Sequence, residues 1–337
     1  LKMQFPNCKI TFITSAQFTP LVEGHPFIDK VISYERSRGL KDIKALKELA
    51  RNISSNEMKA DFIIDLHGTT RAKLIRFFCH SIPSIKVYKR SFSRFILVKL
   101  KIDFLKNLET HHERLIADFK MLFGKDYEKT RLMSFIQKET GLRGKTLSTT
   151  NLSFKRDLKP KLDNPYIVIS PVASFKSKRW PIENFIKLAK EFLNLDEFKD
   201  LSIIILAGPD DKYCNEFDKI ESQRILNLQG KTSVNESNEI LAHAIIAITN
   251  DTGVGHMCES FGKPVVSFFG PTSPSFGFPP HLEDSIVLRA RAKCSPCSNT
   301  GAKNCYRPTH ECMEGISVER ALENTSKLVR KIMEANV

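Results

Sequence analysis

Ala244-Ile245-Ile246-Ala247-Ile248-Thr249-Asn250-Asp251-Thr252-Gly253-Val254-Gly255-His256 is the stretch on which the fold turns. The run Ala244–Thr249 is apolar at successive positions rather than alternate ones. It therefore reads as a strand buried on both faces, the habit of a parallel sheet covered by helices. Asn250–His256 follows as a loop whose two glycines permit a tight turn, and a helix is expected over 254–261. Strand, glycine turn and helix in immediate succession form the repeating unit of a doubly wound α/β sheet.

The same unit recurs on both sides. Strands are expected at Tyr166–Ser170, Leu201–Ala207, Ile225–Leu228 and Val265–Phe269, with helices near Ile182–Leu193, 211–221 and 235–243. The first half repeats the alternation with strands at Lys9–Thr14, Lys30–Tyr34, Asp61–Leu66 and Ile85–Tyr88. Helical spacing covers about 40–55 and 70–79, and residues 92–140 read as mostly helical. The stretch around Lys155–Asn164 turns polar, with Pro160 and Pro165, which marks a linker. A chain of 337 residues suits about two domains. The expected division is 1–158 and 159–315, with a C-terminal helix within 316–337 packing back toward the first domain.

Composition narrows the function classes. The formal net charge is +14, with 41% hydrophobic and 27% charged residues, an ordinary globular mix. Residues 1–160 hold 31 Lys+Arg against 16 Asp+Glu, and residues 161–337 hold 21 against 22. The whole basic excess thus lies in the first half, which favours an anionic partner there. Nucleic acid is disfavoured, because no binding motif is present and the glycine loops sit in the neutral half. No apolar run approaches the roughly 20 residues of a membrane span, and Leu1-Lys2-Met3-Gln4 leads into polar sequence, so no leader is expected.

Ligands of such sheets bind at the carboxyl ends of the strands. The loop after Thr249 offers Gly253 and Gly255 for close backbone approach and a helix N-terminus suited to phosphate. Thr252 and His256 add donors there, while Asp251 suits hydroxyl groups, such as those of a sugar. A plain helix start capped by Asp251 or Thr252 is the competing reading. The loop Pro171-Val172-Ala173-Ser174-Phe175-Lys176-Ser177-Lys178-Arg179-Trp180-Pro181 is basic, with Ser174 and its cations suited to a diphosphate, or else simply solvated with Trp180 packed on the domain. Gly208-Pro209-Asp210-Asp211 offers a carboxylate for a ribose or an ordinary helix cap. In the first half Arg71, Lys73 and Arg76 follow the strand ending at Asp65-Leu66, and Arg114 lies further on. They suit an acceptor rich in carboxylates and phosphates, or a solubilising surface. Phe92, Phe95, Ile96 and Leu97 interleave with Arg90, Arg94 and Lys99. A helix packed on the domain core is expected, with a membrane surface as the alternative.

Asp251-Thr252-Gly253-x-x-His256, Phe261-Gly262-Lys263-Pro264-Val265-Val266-x-Phe268-Phe269-Gly270-Pro271-Thr272-Ser273-Pro274 and Lys178-Arg179-Trp180-Pro181 together carry a resemblance. So do Phe5-Pro6-Asn7, Glu23-Gly24-His25-Pro26 and Ile64-Asp65-Leu66-His67-Gly68. Over nearly its whole length the chain resembles the ADP-heptose:lipopolysaccharide heptosyltransferases, glycosyltransferase family nine. The resemblance implies the GT-B fold of two facing Rossmann-like domains and inverting transfer of a heptose from ADP-heptose to the lipopolysaccharide inner core. It implies a cytoplasmic enzyme in peripheral contact with the inner face of the inner membrane, without cofactor or metal. By position, Lys178 would neutralise the diphosphate leaving group with help from Ser174. Thr252, Gly253 and His256 would contact the diphosphate, Asp251 the heptose hydroxyls, Asp211 the ribose, and Thr232 with Leu228 the adenine. Lys178 and Asp251 are the expected catalytic residues. The alternatives are a related GT-B transferase using another nucleotide-sugar, and a donor-binding protein without a catalytic base.

Two features depart from the family pattern. Phe5-Pro6-Asn7 stand where the family's first helix ends. The first domain is therefore expected to lack its first strand and the Gly-Asp loop with its general base; Leu1 at the start favours truncation over a degenerate enzyme. Cys294-x2-Cys297-x7-Cys305-x6-Cys312 is permissive for a structural metal but lacks the paired spacing of a zinc ribbon, so free buried thiols or reversible disulfides are the competing readings.

Overall fold

The computed structural model describes residues 7–25, 27–37, 39–55, 58–86, 90–105 and 164–335. The chain divides into two compact units, and among the described residues the first ends at Ser91.

In the first unit β1 (Thr11–Ser15) pairs in parallel with β2 (Lys30–Tyr34), and β3 (Ile63–Asp65) in parallel with β4 (Ser84–Lys86). Between the pairs run α1 (Leu40–Ile53) and α2 (Thr70–Phe78). The α1 side chains Leu46, Leu49, Ala50 and Ile53 fall on one helical face and are buried, three of them in a cluster with Cys79. No ladder joins the two strand pairs among the described residues.

The second unit holds a six-stranded parallel sheet of order β10-β9-β8-β5-β6-β7. The strands are β5 (Tyr166–Ser170), β6 (Ser202–Ile205), β7 (Ile225–Asn227), β8 (Ala247–Asn250), β9 (Val265–Phe268) and β10 (Ile286–Leu288). β5, β6, β8 and β9 are buried throughout, as their unbroken apolar runs require. The chain winds outward from β5 through β6 to β7, then returns to β8 on the other side of β5. That reversal places a topological switch point between β5 and β8. The helices include α4 (Ile182–Leu193), α5 (Val234–His243) and α6 (Gly253–Ser260). Ser233 and Glu236 form a reciprocal capping box at the start of α5.

The structure departs from the sequence expectations in four places. The helix expected over 211–221 is a 3-10 stretch, Lys212–Lys219, because Cys214 and Phe217 are its buried residues and their three-residue spacing suits the tighter helix. β10 carried no expectation. The segment 92–105, assigned by sequence to the first domain, belongs to the second unit. It begins within α3 (Ser91–Leu100), where Leu97 joins Leu105 and Phe276 in a small apolar cluster. Finally, the C-terminal helix α8 (Val318–Glu334), preceded by the single turn α7 (Glu311–Glu314), belongs to the core of the second unit. It buries Val318, Ala321, Leu328 and Val329 in the same core as Ile167, Phe185 and Phe268 of the second unit. Lys187–Glu319 and Arg330–Glu197 ion pairs, each at 3.0 Å, flank that contact. The linker expected at 155–164 lies almost wholly outside the described residues, as does the rest of the helical reading beyond 105.

Candidate active site

The switch point brings the two expected loops together through Asn250, the last residue of β8. Its buried amide donates to the Pro171 carbonyl at 2.8 Å and accepts the Trp180 N–H at 2.9 Å. Trp180 itself is core. Its ring stacks on Phe268 with centroids 4.4 Å apart, and its indole N–H donates to the Ile316 carbonyl. The only tryptophan therefore clamps the basic loop to the sheet and leaves the cations before it at the carboxyl edge.

Lys178 ends a 3-10 turn, Lys176–Lys178. Ser177 fixes that turn by accepting the Ala302 N–H at 2.8 Å, and its carbonyl lies 2.7 Å from the His310 ring nitrogen Nε2. The lysine stem runs over Gly301, whose φ is +107° and where a Cβ would stand 2.9 Å from the lysine Cδ. Only glycine fits this position. Lys178 Nζ reaches Asp251 Oδ2 at 2.7 Å, with both side chains largely shielded at 15% and 13% exposed. The buried Thr272 donates its hydroxyl to the same oxygen at 2.7 Å. Cation, carboxylate and hydroxyl thus converge from three different strand-end loops.

Thr252 precedes α6 but does not cap it; its hydroxyl instead meets that of Thr249 at 3.1 Å. No side-chain cap bond occupies the helix start, so the capping reading of Asp251 and Thr252 gives way to an open donor end. A Cβ on Gly253 would meet nothing within 4 Å, which leaves room for a ligand there. A pocket beside this turn is lined by Asp251, Thr252, His256, Glu259, Phe278 and Pro280, among others. His256 is exposed by area but walled by the pocket. The loss of solvent around its ring is the larger effect and holds it below the usual value of 6.5, against the pull of Glu259 and Asp251.

The remaining donor-side residues are brought nearby in the fold but are already engaged. Asp211 accepts the Gly208 N–H and the Tyr213 hydroxyl. It lies 3.5 Å from Arg179, whose guanidinium sits over the Tyr213 ring at 4.5 Å. Gln229 donates to the carbonyls of Gly208 and Pro209, so the loops before Asp211 and before Thr232 touch. The Thr232 hydroxyl pairs with Ser237 at 3.0 Å, and Leu228 packs against the apolar cluster around Leu206. Ser174 is exposed on the basic loop.

The acceptor set is less coherent than expected. Arg71 is held by Asp42 at 2.8 Å and by the Ser37 carbonyl, and Arg76 pairs with the buried Asp65 at 3.2 Å. Lys73 is exposed on the same helix, and Arg114 lies outside the described residues. Both Arg71 and Arg76 are thus engaged by carboxylates of the first unit, a pairing invisible in the sequence. The eight cysteines are free thiols, with Cys294 and Cys312 buried. Among the described residues no group of three or more His, Cys, Asp or Glu is arranged to hold a metal ion. Burial pushes the Cys312 thiol up to about 12, so it is not a ready nucleophile.

Sequence reasoning missed Thr272, Gly301 and Glu259. Thr272 stood within a quoted motif without a role. Its signal is position, since it follows β9 next to β8, where Asp251 must find a partner.

Residues 47–306 match the model of glycosyltransferase family 9 (heptosyltransferase). Lipooligosaccharide heptosyltransferase 2 of Haemophilus influenzae is 23% identical over 98% of this chain and 93% of its own. Two solved structures share the fold. The Escherichia coli ADP-heptose lipopolysaccharide heptosyltransferase II superposes with TM-score 0.65 at 19% identity, over 98% of this chain and 92% of that one. A family 9 glycosyltransferase of Veillonella parvula superposes with TM-score 0.68 at 19% identity, over 98% and 90%. With a parallel sheet of the GT-B type and the family model matched over residues 47–306, the chain belongs to glycosyltransferase family 9, the heptosyltransferases.

Proposed function

We propose that this glycosyltransferase moves a heptose from ADP-heptose to the inner core of lipopolysaccharide, with inversion at the anomeric carbon. The observation that carries the donor side is the convergence of Lys178, Asp251 and Thr272 beside the uncapped start of α6. As the anomeric carbon–oxygen bond breaks, negative charge grows on the departing diphosphate. The Lys178 ammonium and the N–H groups of α6 are fixed positive centres for that charge. Asp251 orients the sugar through its hydroxyls while holding Lys178 in place. Ser174, Thr252, Gly253 and His256 complete the diphosphate contacts, Asp211 takes the ribose, and Thr232 with Leu228 flanks the adenine. The acceptor is an anionic glycolipid held by the basic first unit, where Lys73 is exposed while Arg71 and Arg76 face carboxylates.

Peripheral contact with the cytoplasmic face of the inner membrane is part of this reading. Phe92, Phe95, Leu100 and Phe104 are more than half exposed, beside Lys99. That combination suits an anionic bilayer surface. Among the described residues no helix is long and apolar enough to cross a membrane.

The test is transfer by the full chain from ADP-heptose, set against other nucleotide-sugars, onto an inner-core acceptor. Product from ADP-heptose at the highest kcat/KM is expected. Preference for another nucleotide-sugar would assign a different GT-B reaction, and donor binding without any transfer would leave only a binding protein.

A further inference from the structure

Glu259 lies one turn beyond His256 on α6, on the same helical face, and its side chain is wholly buried. A carboxylate in such a place must be paired or surrounded by donors. Its Oε1 accepts the backbone N–H groups of His281 and Leu282 at 2.9 and 3.0 Å and the Ser285 hydroxyl at 2.7 Å. Its Oε2 lies 3.0 Å from the His281 N–H and 2.8 Å from the His281 ring nitrogen Nδ1. Every one of these partners comes from a single connection, residues 281–285, which has no regular secondary structure of its own.

The far wall of the pocket stands directly before that connection: Phe278 and Pro280 line it together with Asp251, Thr252 and His256. The other end of the wall is gripped independently. Arg94 donates to the Phe276 carbonyl at 2.7 Å and lies over the rings of Phe276 and Phe278 at 5.8 and 5.5 Å. Ser275 donates to Asp103 at 2.7 Å. Phe278 is 41% exposed, so its place in the pocket is set by these two anchors and not by core packing.

We infer that Glu259 is a positioning residue for the sugar end of the donor. It holds the Phe278–Pro280 wall at the distance from Asp251 that a bound heptose requires. The inference rests on the reading of Asp251 as the group that meets the sugar hydroxyls. Glu259 lines the pocket without exposed surface, and both of its oxygens already face donors of this chain, so its effect is exerted through the wall. Its effect therefore falls on the sugar part of the donor and spares the nucleotide part.

Calorimetric affinities of the full chain for ADP and for ADP-heptose test this. Glu259→Gln keeps the shape but turns one acceptor oxygen into a donor facing other donors. ADP-heptose affinity should fall about tenfold or more with ADP affinity changed less than about twofold. Phe278→Ala, which removes the wall and leaves the buried carboxylate intact, should shift the ratio in the same direction and covers the case in which Glu259→Gln folds poorly. Equal losses for the two ligands, or no loss for either, would overturn the inference. Lys178→Ala separates it from the reading beneath it. Unchanged ADP affinity in that variant defeats the donor-site reading, and with it the inference. A loss of ADP affinity there, with an unaltered ratio in Glu259→Gln and Phe278→Ala, defeats the role of Glu259 alone.

Discussion

Lys178 and Asp251 are carried by different loops and meet at 2.7 Å, with the Thr272 hydroxyl on the same carboxylate oxygen. Lys178→Ala removes the fixed charge nearest the expected leaving group. It should lower kcat by about 10²–10³, as steady-state kinetics will read. Asp251→Ala should weaken ADP-heptose more than ADP in the same titration; equal losses would make Asp251 structural. Glu259 bears on stability too. Burial alone would raise its pKa, but the His281, Leu282 and Ser285 donors outweigh burial and hold it below the usual 4.5. A carboxylate with a depressed folded-state pKa contributes stability above its unfolded value, and that contribution is lost as pH falls through the folded value. Glu259→Gln should therefore cost about 1–3 kcal/mol near neutrality. The difference from the parent should shrink below about pH 4.5. Chemical denaturation across pH measures it, and a gap that widens toward acid would contradict the assignment.

At the scale of elements, the loops act as a set. Gly301 belongs to none of the quoted motifs, yet its lack of a side chain lets the Lys178 stem lie flat and reach Asp251. Gly301→Ala introduces a clash at 2.8–2.9 Å with Phe175 and Lys178 at a left-handed φ. It should cost about 1–3 kcal/mol and depress transfer together with stability. In α2 the basic residues divide by role. Arg76→Ala leaves the buried Asp65 without its ion-pair partner and should destabilise the first unit by about 1–3 kcal/mol. Lys73→Ala, at an exposed position, should stay within about 0.5 kcal/mol and affect acceptor KM only. Equal stability effects would return Arg76 to the surface. The sequence showed which helix was basic. It did not show that Asp42 and Asp65 would take up two of its cations, because those partners come from elsewhere in the fold.

Across the whole molecule the two units differ in how their strands are held. β5, β6, β8 and β9 are buried along their length in a six-stranded sheet. Among the described residues β1 and β2 form a two-stranded pair, as do β3 and β4, and their strands are half-buried to exposed for the most part. Two-stranded ladders are marginal without a wider sheet. Amide hydrogen exchange should therefore be faster in Thr11–Tyr34 and Ile63–Lys86 than in the second sheet, and comparable protection would refute this account. The sequence by itself determined the α/β class, the parallel sheet and the loops that gather at its switch point. Continuous apolar strands and glycine turns are local signals, and the strand–turn–helix unit fixes which loop ends lie on one edge. Tertiary structure decided the rest: that Trp180 is core, that Thr272 joins Lys178 and Asp251, and that Glu259 holds the pocket wall. It also decided that the 92–105 segment and the C-terminal helix pack with the second unit. Each of these depends on which distant side chain supplies the missing partner of a buried polar or apolar group, and that choice is made only when the layers close on one another.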